Sequence, residues 1–299
     1  MTIVVPALRA AVAPAPWVKN ELWRNAREVP ALDQPFADNK SLIDTISGQQ
    51  LITHTRASAG TYVGSDKLIK TATTNEARFD HDPVTGESLG LLVEESRTNL
   101  LTYSEEFDDP AWTKTRSTIS ANAVISPYGD VSADKLIEDS TASSTHFIAK
   151  TTALGGSIDS STYAISFYAK AAERNRIRVV DDLQITSGAT IFDLTSGTVV
   201  NGSGSILDAG NGWHRCTIYP KKDFGTNSAL QIYLISAGTT FIYDGDNTSG
   251  VYLWGAQLED GAFPTSYIPT TSSTVTRAAD VLTDTSTGAN IRTLYAEFR

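Results

Sequence analysis

Cysteine is almost absent from this chain, since Cys216 is the only one among 299 residues. One cysteine cannot form a disulfide within the chain, so the fold has to depend on packing and hydrogen bonding. Cys216 lies in the apolar-rich segment WHRCTIY, and a buried cysteine behaves as a small hydrophobic residue. We therefore expect a buried structural thiol, with a reactive thiol as the alternative.

Histidine is also scarce, and its four positions are widely separated: His54, His81, His146 and His214. None belongs to a two-histidine metal motif, which argues against a zinc hydrolase. The sequence also lacks a G-x-S-x-G nucleophile elbow, a P-loop and a complete G-x-G-x-x-G fingerprint. Neither acyl hydrolysis nor nucleotide binding is therefore indicated.

Long apolar runs and an excess of positive charge are missing as well. No run of about 18 apolar residues is present, the length that predicts a membrane-spanning helix. The first residues carry Pro6, Arg9, Pro14 and Pro16 where a signal peptide has an unbroken apolar segment. The formal net charge of −10 repels phosphate backbones. We predict cytoplasmic synthesis without a signal peptide, no membrane insertion and no nucleic-acid partner.

Carboxylates occur in adjacent pairs, which raises the question of glycoside hydrolysis by two acids held about 5 to 10 Å apart. Adjacent residues of a strand point to opposite faces, so no such pair forms a catalytic dyad by itself. We interpret these acids as solvated surface groups and predict that the protein is not an enzyme. The pairs are Glu94-Glu95, Glu105-Glu106, Asp108-Asp109, Asp181-Asp182 and Glu259-Asp260.

The first 35 residues differ from the rest in carrying five prolines, which disfavour long helices and central strands. We predict that residues 1–35 form an extended arm with at most a short helix. Tryptophan and arginine are enriched at interface hot spots, so docking onto another protein is one interpretation and folding back onto the chain is the other. The candidate docking residues are Trp17, Trp23, Arg24 and Arg27.

The pattern of the remaining sequence is all-β. Residues 36–95 alternate short strand-like runs with turn clusters, which predicts a small β-rich connecting region. Residues 96–282 contain many period-two runs separated by glycine-rich turns, which is typical of a β-sandwich. In one run, Tyr252, Trp254, Ala256 and Leu258 are predicted to share a face. Residues 283–299 read as a linker followed by the start of a further strand or domain.

Two stretches that flank the predicted sandwich carry a family resemblance: GLLVEESRTNLL (90–101) and VYLWGAQLEDGAFPTSYIPTTSSTVTRAAD (251–280). Together with Arg56-Ala57-Ser58, Thr61-Tyr62-Val63, Asn75 and Arg78-Phe79-Asp80, they resemble a carbohydrate-binding-module-like jelly-roll domain of tail and fibre proteins from tailed bacteriophages. The resemblance extends over approximately residues 56–280. It implies a jelly-roll β-sandwich, preceded by the extended arm and the small β-region.

The resemblance also implies a structural protein of the virion, most simply a tail fibre or another host-facing appendage. The arm would bind other virion proteins, the protein would form a homotrimer, and the sandwich would contact a host surface glycan. Two alternatives remain: a capsid decoration or head-fibre protein with a purely architectural sandwich, and a glycan-binding module associated with a depolymerase.

A sugar ring commonly stacks on an aromatic side chain while nearby polar groups bond its hydroxyls. Trp213 and Trp254 lie in core-like runs and are predicted to be buried. The candidates for carbohydrate binding are Trp112, Tyr128, Tyr168, Tyr233 and Tyr267.

One loop, YDGDNTSG (243–250), offers oxygen ligands at alternating positions, as calcium prefers. Asp244 and Asp246 are its candidate ligands. The loop lacks the bidentate glutamate of an EF-hand, and the alternative is a turn built by Asp, Asn and Gly. We predict no other cofactor.

Overall fold

The computed structural model of the chain describes residues 32–45, 47–153, 163–181, 189–219, 227–284 and 294–296. The described helix, α1, is Phe36–Asn39, and no described helix has the length and apolar character to cross a membrane. The strands, in chain order, are β1 (Leu32–Gln34), β2 (Ile52–Thr55), β3 (Gly60–Val63), β4 (Ile69–Ala72), β5 (Phe79–His81), β6 (Ser88–Leu91), β7 (Arg97–Asn99), β8 (Thr113–Thr115), β9 (Ser117–Ile125), β10 (Val131–Glu138), β11 (Phe147–Ala153), β12 (Tyr163–Ala171), β13 (Arg176–Asp181), β14 (Thr190–Asp193), β15 (Thr198–Asn201), β16 (Gly204–Asp208), β17 (Trp213–Ile218), β18 (Asn227–Ile235), β19 (Gly250–Asp260), β20 (Val275–Arg277), β21 (Val281–Asp284) and β22 (Leu294–Ala296).

The described residues form two compact units. The first contains residues up to Ser96 and from Ala278 onward, and the second is Arg97–Arg277. The sequence pattern predicts that the sandwich ends at residue 282, but β21 pairs with β2 in the first unit. Likewise β22, expected to start a further strand or domain, pairs in parallel with β1. Short alternating strands carry no signal for a partner more than 200 residues away, so the sequence pattern could not assign these pairings.

The second unit contains two six-stranded sheets. The first sheet has the order β16-β17-β12-β19-β10-β9, and the second has the order β15-β14-β13-β18-β11-β8. From β10 to β13, and again from β17 to β19, the chain changes sheet at every step. All pairings within both sheets are antiparallel. This order is that of a jelly roll, so the predicted all-β fold is confirmed.

The interior of the second unit is built by alternate residues of both sheets. Cys216 belongs to this core and is fully buried, and burial raises the pKa of its thiol. The structural interpretation of the lone cysteine therefore applies rather than the reactive one. Other core side chains come from the first sheet (Leu136, Phe167, Leu253) and from the second (Ile148, Ile177, Phe192, Ile232).

A β-bulge in β19 corrects the predicted face of this strand. Ser166 of β12 pairs with Gln257 and Tyr168 pairs with Trp254, so one residue of β12 lies opposite two residues of β19. Gly255, at the bulge, has a φ of 62°. The extra residue reverses the alternation: Ala256 and Leu258 point into the core, whereas Trp254 lies outside this cluster.

Trp254 is nevertheless buried, as predicted, and its exposed fraction is 0%. Its ring centroid lies 4.6 Å from that of Tyr267, 5.4 Å from Tyr168 and 6.4 Å from Tyr128. Its indole nitrogen donates to Ser132 Oγ over 3.1 Å. The outward side of the first sheet therefore carries a second, aromatic cluster.

The first unit consists of two-stranded sheets and a buried ion cluster centred on Asp280. The Asp280 carboxylate accepts hydrogen bonds from His54 Nε2 at 2.9 Å, Arg56 Nη1 at 3.0 Å, Arg78 Nη2 at 2.5 Å and the backbone N–H of Glu94 at 2.8 Å. Burial alone would raise the pKa of Asp280, but the His54 hydrogen bond, the charge of Arg78 and the hydrogen bonds from the Glu94 backbone and Arg56 hold it well below its ordinary value.

Several residues that carried the family resemblance are partners in this cluster. Arg78 Nη1 also donates to Glu94 Oε2 over 2.8 Å. The backbone N–H of Arg56 donates to Asn75 Oδ1 over 3.0 Å. The motif residues Arg56, Asn75, Arg78, Glu94 and Asp280 are therefore structural, because each satisfies a buried polar group of another.

Candidate functional site

The outward side of the second sheet exposes a row of large side chains. In β11, β13 and β18 of this sheet, alternate residues point into the core, among them Ile148, Ile177 and Ile232. The intervening residues point the other way and are partly exposed. On this side are Phe147, Ala149, Arg178, Val180, Gln231 and Tyr233.

Strand register brings three of these side chains into line. Phe147 of β11 pairs with Tyr233 of β18, which pairs with Arg178 of β13. The rings of Phe147 and Tyr233 are stacked, with centroids 4.4 Å apart and planes at 27°. Directly opposed residues of neighbouring strands are the closest side-chain neighbours in a sheet, so the row follows from the register.

Phe241, which follows β18, completes the row. The Cζ atom of Arg178 lies 4.4 Å from the centroid of Phe241 and 5.1 Å from that of Tyr233. The Tyr233 and Phe241 rings are 6.2 Å apart in an edge-on arrangement. We call Phe147, Tyr233, Arg178 and Phe241 the outer-face row.

The outer-face row combines apolar rings with polar groups. Tyr233 Oη donates a 2.6 Å hydrogen bond to Gln231 Oε1, which fixes both side chains. Aromatic rings supply contact area that loses little conformational entropy on binding, and neighbouring amide and guanidinium groups can bond hydroxyls or anions. The row therefore has the chemistry to bind a flat, hydroxyl-rich ligand.

Three of the five predicted carbohydrate-binding residues are buried, so these assignments are corrected. Trp112 is 1% exposed and donates from its indole nitrogen to the Tyr103 carbonyl oxygen at 2.8 Å. Tyr267 is 2% exposed, with its hydroxyl bonded to Ser104 and Glu105. Tyr168 is 7% exposed and packs against Trp254. A ring without an accessible face cannot stack on a sugar.

The other two candidates are partly exposed: Tyr128 lies in the turn between β9 and β10, and Tyr233 lies in β18. Tyr128 covers Trp254 at the first sheet. Tyr233 belongs to the outer-face row, where its partly exposed ring lies beside the partly exposed rings of Phe147 and Phe241. Phe147, Arg178 and Phe241 were not among the residues predicted from the sequence. The alternation of Arg176 and Arg178 with Ile177 and Val179 was the signal that could have placed Arg178 on this side.

The loop proposed for calcium is organised by its own hydrogen bonds. Asp246 accepts from the backbone N–H groups of Thr248 at 2.8 Å and Ser249 at 2.7 Å and from both hydroxyls. These bonds lower the pKa of Asp246, led by the Ser249 hydroxyl. Asp244 Oδ1 accepts from Ser143 N at 2.6 Å. This is the Asx-turn alternative, and calcium at Asp244 and Asp246 stays a prediction.

In the part of the chain that the structure describes, no group of three or more His, Cys, Asp and Glu side chains is arranged to hold a metal ion. The predicted virion-docking residues Trp17, Trp23, Arg24 and Arg27 lie outside the described residues.

Comparisons with known proteins give distant structural similarities. No protein-family model matches the chain, and no curated protein matches it. The enzymatically active domain of tailspike protein 4 of bacteriophage CBA120 has 13% identity and a TM-score of 0.35, over 55% of this chain and 21% of that one. TmCBM61, solved with β-1,4-galactotriose, has 10% identity and a TM-score of 0.33, over 54% of this chain and 97% of that one. A Cry1Da tryptic core variant of Bacillus thuringiensis has 10% identity and a TM-score of 0.29, over 64% of this chain and 30% of that one. The match thus spans about a fifth of the solved tailspike chain.

Proposed function

We propose that this chain is a non-enzymatic structural protein of a tailed-bacteriophage virion, in a tail fibre or another host-facing appendage, and that its sandwich binds a host surface glycan. The outer-face row is the observation that carries the binding proposal. It places the stacked Phe147 and Tyr233 rings, Arg178 and Phe241 together on one partly exposed side of a sheet. Rings beside hydrogen-bonding groups are the chemistry of sugar recognition.

The virion context is supported by the sequence resemblance. Its scattered motif residues, including Arg56, Arg78 and Asp280, are partners in one buried cluster. An ordered match whose members bond one another reflects a shared structural element rather than similar composition. In the proposed arrangement, the N-terminal arm binds other virion proteins and the protein assembles as a homotrimer.

The glycan proposal is tested on an array that carries neutral, carboxylated and sulfated glycans. We expect the intact chain to bind at least one of them and Tyr233→Ala to weaken that binding by about tenfold or more, because a stacking ring is lost. Tyr252→Ala is the matched control, since Tyr252 is a partly exposed tyrosine of the other sheet. Equal loss in both variants, or no bound glycan, would contradict the proposal.

The non-enzymatic and host-facing parts are tested separately. Incubation with host polysaccharide should release no reducing ends, and release would favour a depolymerase. Imaging of virions labelled on the sandwich should place the label on the tail. Label on the capsid would favour the head-fibre alternative.

A further inference from the structure

We propose that the glycan bound by the outer-face row is acidic, and that Arg178 binds its carboxylate. This inference rests on the proposed glycan-binding function and specifies its ligand class as a sugar acid, such as a uronic or sialic acid. The observation behind it is the environment of the partly exposed Arg178 guanidinium, which lies over two aromatic rings.

Arg178 contacts aromatic rings, whereas several other cations of the second unit contact acids. Arg174 donates to Glu138, Arg176 Nε donates to Asp193 Oδ2 over 2.7 Å, and Lys135 is paired with Glu173. Among the described residues, the contacts of the Arg178 guanidinium are with the Tyr233 and Phe241 rings. An aromatic ring attracts a cation but gives its N–H groups no strong hydrogen-bond acceptor.

The geometry suits a planar anion. A guanidinium carries five N–H donors in one plane and binds a carboxylate through two parallel hydrogen bonds. Contact with two rings holds Arg178 in place before a ligand arrives, so less side-chain freedom is lost on binding. A carboxylated sugar could then pack against the rings while its acid group meets Arg178.

The net charge of −10 does not oppose this pairing at close range. At physiological ionic strength the interactions of exposed charges are largely screened beyond about 8 Å. Asp193, two residues along β14 from the Ile191 that lies opposite Arg178, is already paired with Arg176. Local complementarity at Arg178 therefore decides which ligand is favoured.

The test compares each acidic glycan with its own carboxyl-reduced form. The probes are oligogalacturonate, hyaluronate oligosaccharides and oligosialic acid, each titrated calorimetrically before and after reduction of the carboxylates to alcohols. We expect at least one acidic form to bind the intact chain about tenfold to hundredfold more tightly than its reduced form. That preference should weaken as salt is raised.

Variants then assign the preference to Arg178. In Arg178→Met, the acidic and reduced forms should bind with equal affinity, so the acidic form should lose more affinity than the reduced form. Arg178→Lys keeps the charge but not the planar fork, so it should retain part of the preference. Thermal unfolding checks that both variants remain folded.

The outcomes separate this inference from the proposed function. Equal binding of acidic and reduced forms, or equal losses for both in Arg178→Met, would overturn the acidic-ligand assignment. Binding of neutral array glycans alone, lost in Tyr233→Ala, would uphold glycan binding and overturn the inference. Absence of any bound glycan would overturn both.

Discussion

Asp280 shows what one residue contributes in the first unit. Its carboxylate and the Arg56 and Arg78 guanidinium groups have no exposed side-chain surface. A buried ion pair adds little net stability, because desolvation opposes the attraction. Removal of one partner is different, since it leaves the others charged, buried and unpaired.

We therefore expect Asp280→Asn to lower the free energy of unfolding by about 3 to 5 kcal/mol, measured by urea denaturation. The matched control is Asp66→Asn, which breaks an exposed ion pair with Lys70. The Lys70 and Asp66 side chains are 41% and 48% exposed. That change should be below about 1 kcal/mol. Similar small effects in both variants would show that the Asp280 cluster is not electrostatically coupled.

Asp134 makes the stability of the second unit depend on pH. Its pKa is raised, whereas that of Asp280 in the first unit is lowered. The residue is 2% exposed and accepts hydrogen bonds from the backbone N–H groups of Phe107 and Asn122. Burial outweighs these bonds and raises the pKa of Asp134 to about 6. A carboxyl with a raised pKa in the folded state stabilises the fold below its unfolded pKa, and this contribution is lost as the pH rises through 6.

The free energy of unfolding of the second unit should thus decrease by about 2 to 3 kcal/mol between pH 4 and pH 7 from this residue. Denaturation of the intact chain and of Asp134→Asn across this range measures it. The variant should show a flatter profile. An unchanged slope in Asp134→Asn would exclude Asp134 as its source.

At the scale of the element, the bulge in β19 decides which side chains reach each side of the first sheet. Gly255 accommodates the bulge, because glycine adopts a φ of 62° readily whereas residues with a Cβ atom do not. A Cβ atom there would lie 3.1 Å from Tyr168 Cδ2 and 3.3 Å from Tyr267 Cε2. Conformation and packing both therefore favour glycine.

Gly255→Ala is expected to destabilise the protein by about 1 to 3 kcal/mol in thermal or chemical unfolding. Gly238→Ala is the control, since Gly238 has a φ of 58° but no atom within 4 Å of an added Cβ. Gly238→Ala therefore tests the backbone conformation without the packing, and its free energy of unfolding should fall by about 1 kcal/mol. If the two variants lose equal stability, the aromatic cluster does not constrain the bulge.

For the whole molecule, the second unit has the features of an independently folding domain. It has its own core. Its ends are paired, because Arg97 in β7 lies opposite Arg277 in β20. A domain with a closed core and adjacent termini can be excised without opening a sheet.

We expect a fragment of residues 97–277 to fold alone, with a β-type circular dichroism spectrum and one cooperative thermal transition. A fragment that begins at Phe107 omits β7 and serves as the control, since β20 then loses its partner. Lack of cooperative unfolding in the longer fragment would contradict its autonomy.

The all-β class could be predicted from local sequence, because period-two alternation within each strand indicates which residues face inward. The sequence also indicated the buried Cys216 and Trp254. It could not show that the bulge at Gly255 moves Trp254 to the other side of the sheet, since one inserted residue reverses the alternation without changing composition.

The tertiary structure alone decided which groups meet. His54 and Asp280 are 226 positions apart in the sequence, yet they share a hydrogen bond. Phe147, Arg178 and Tyr233 come together only through the register of three strands. Contacts between strands depend on pairing and on burial from other layers. Local patterns determine the direction of a side chain, whereas its neighbours are set by the assembled sheet.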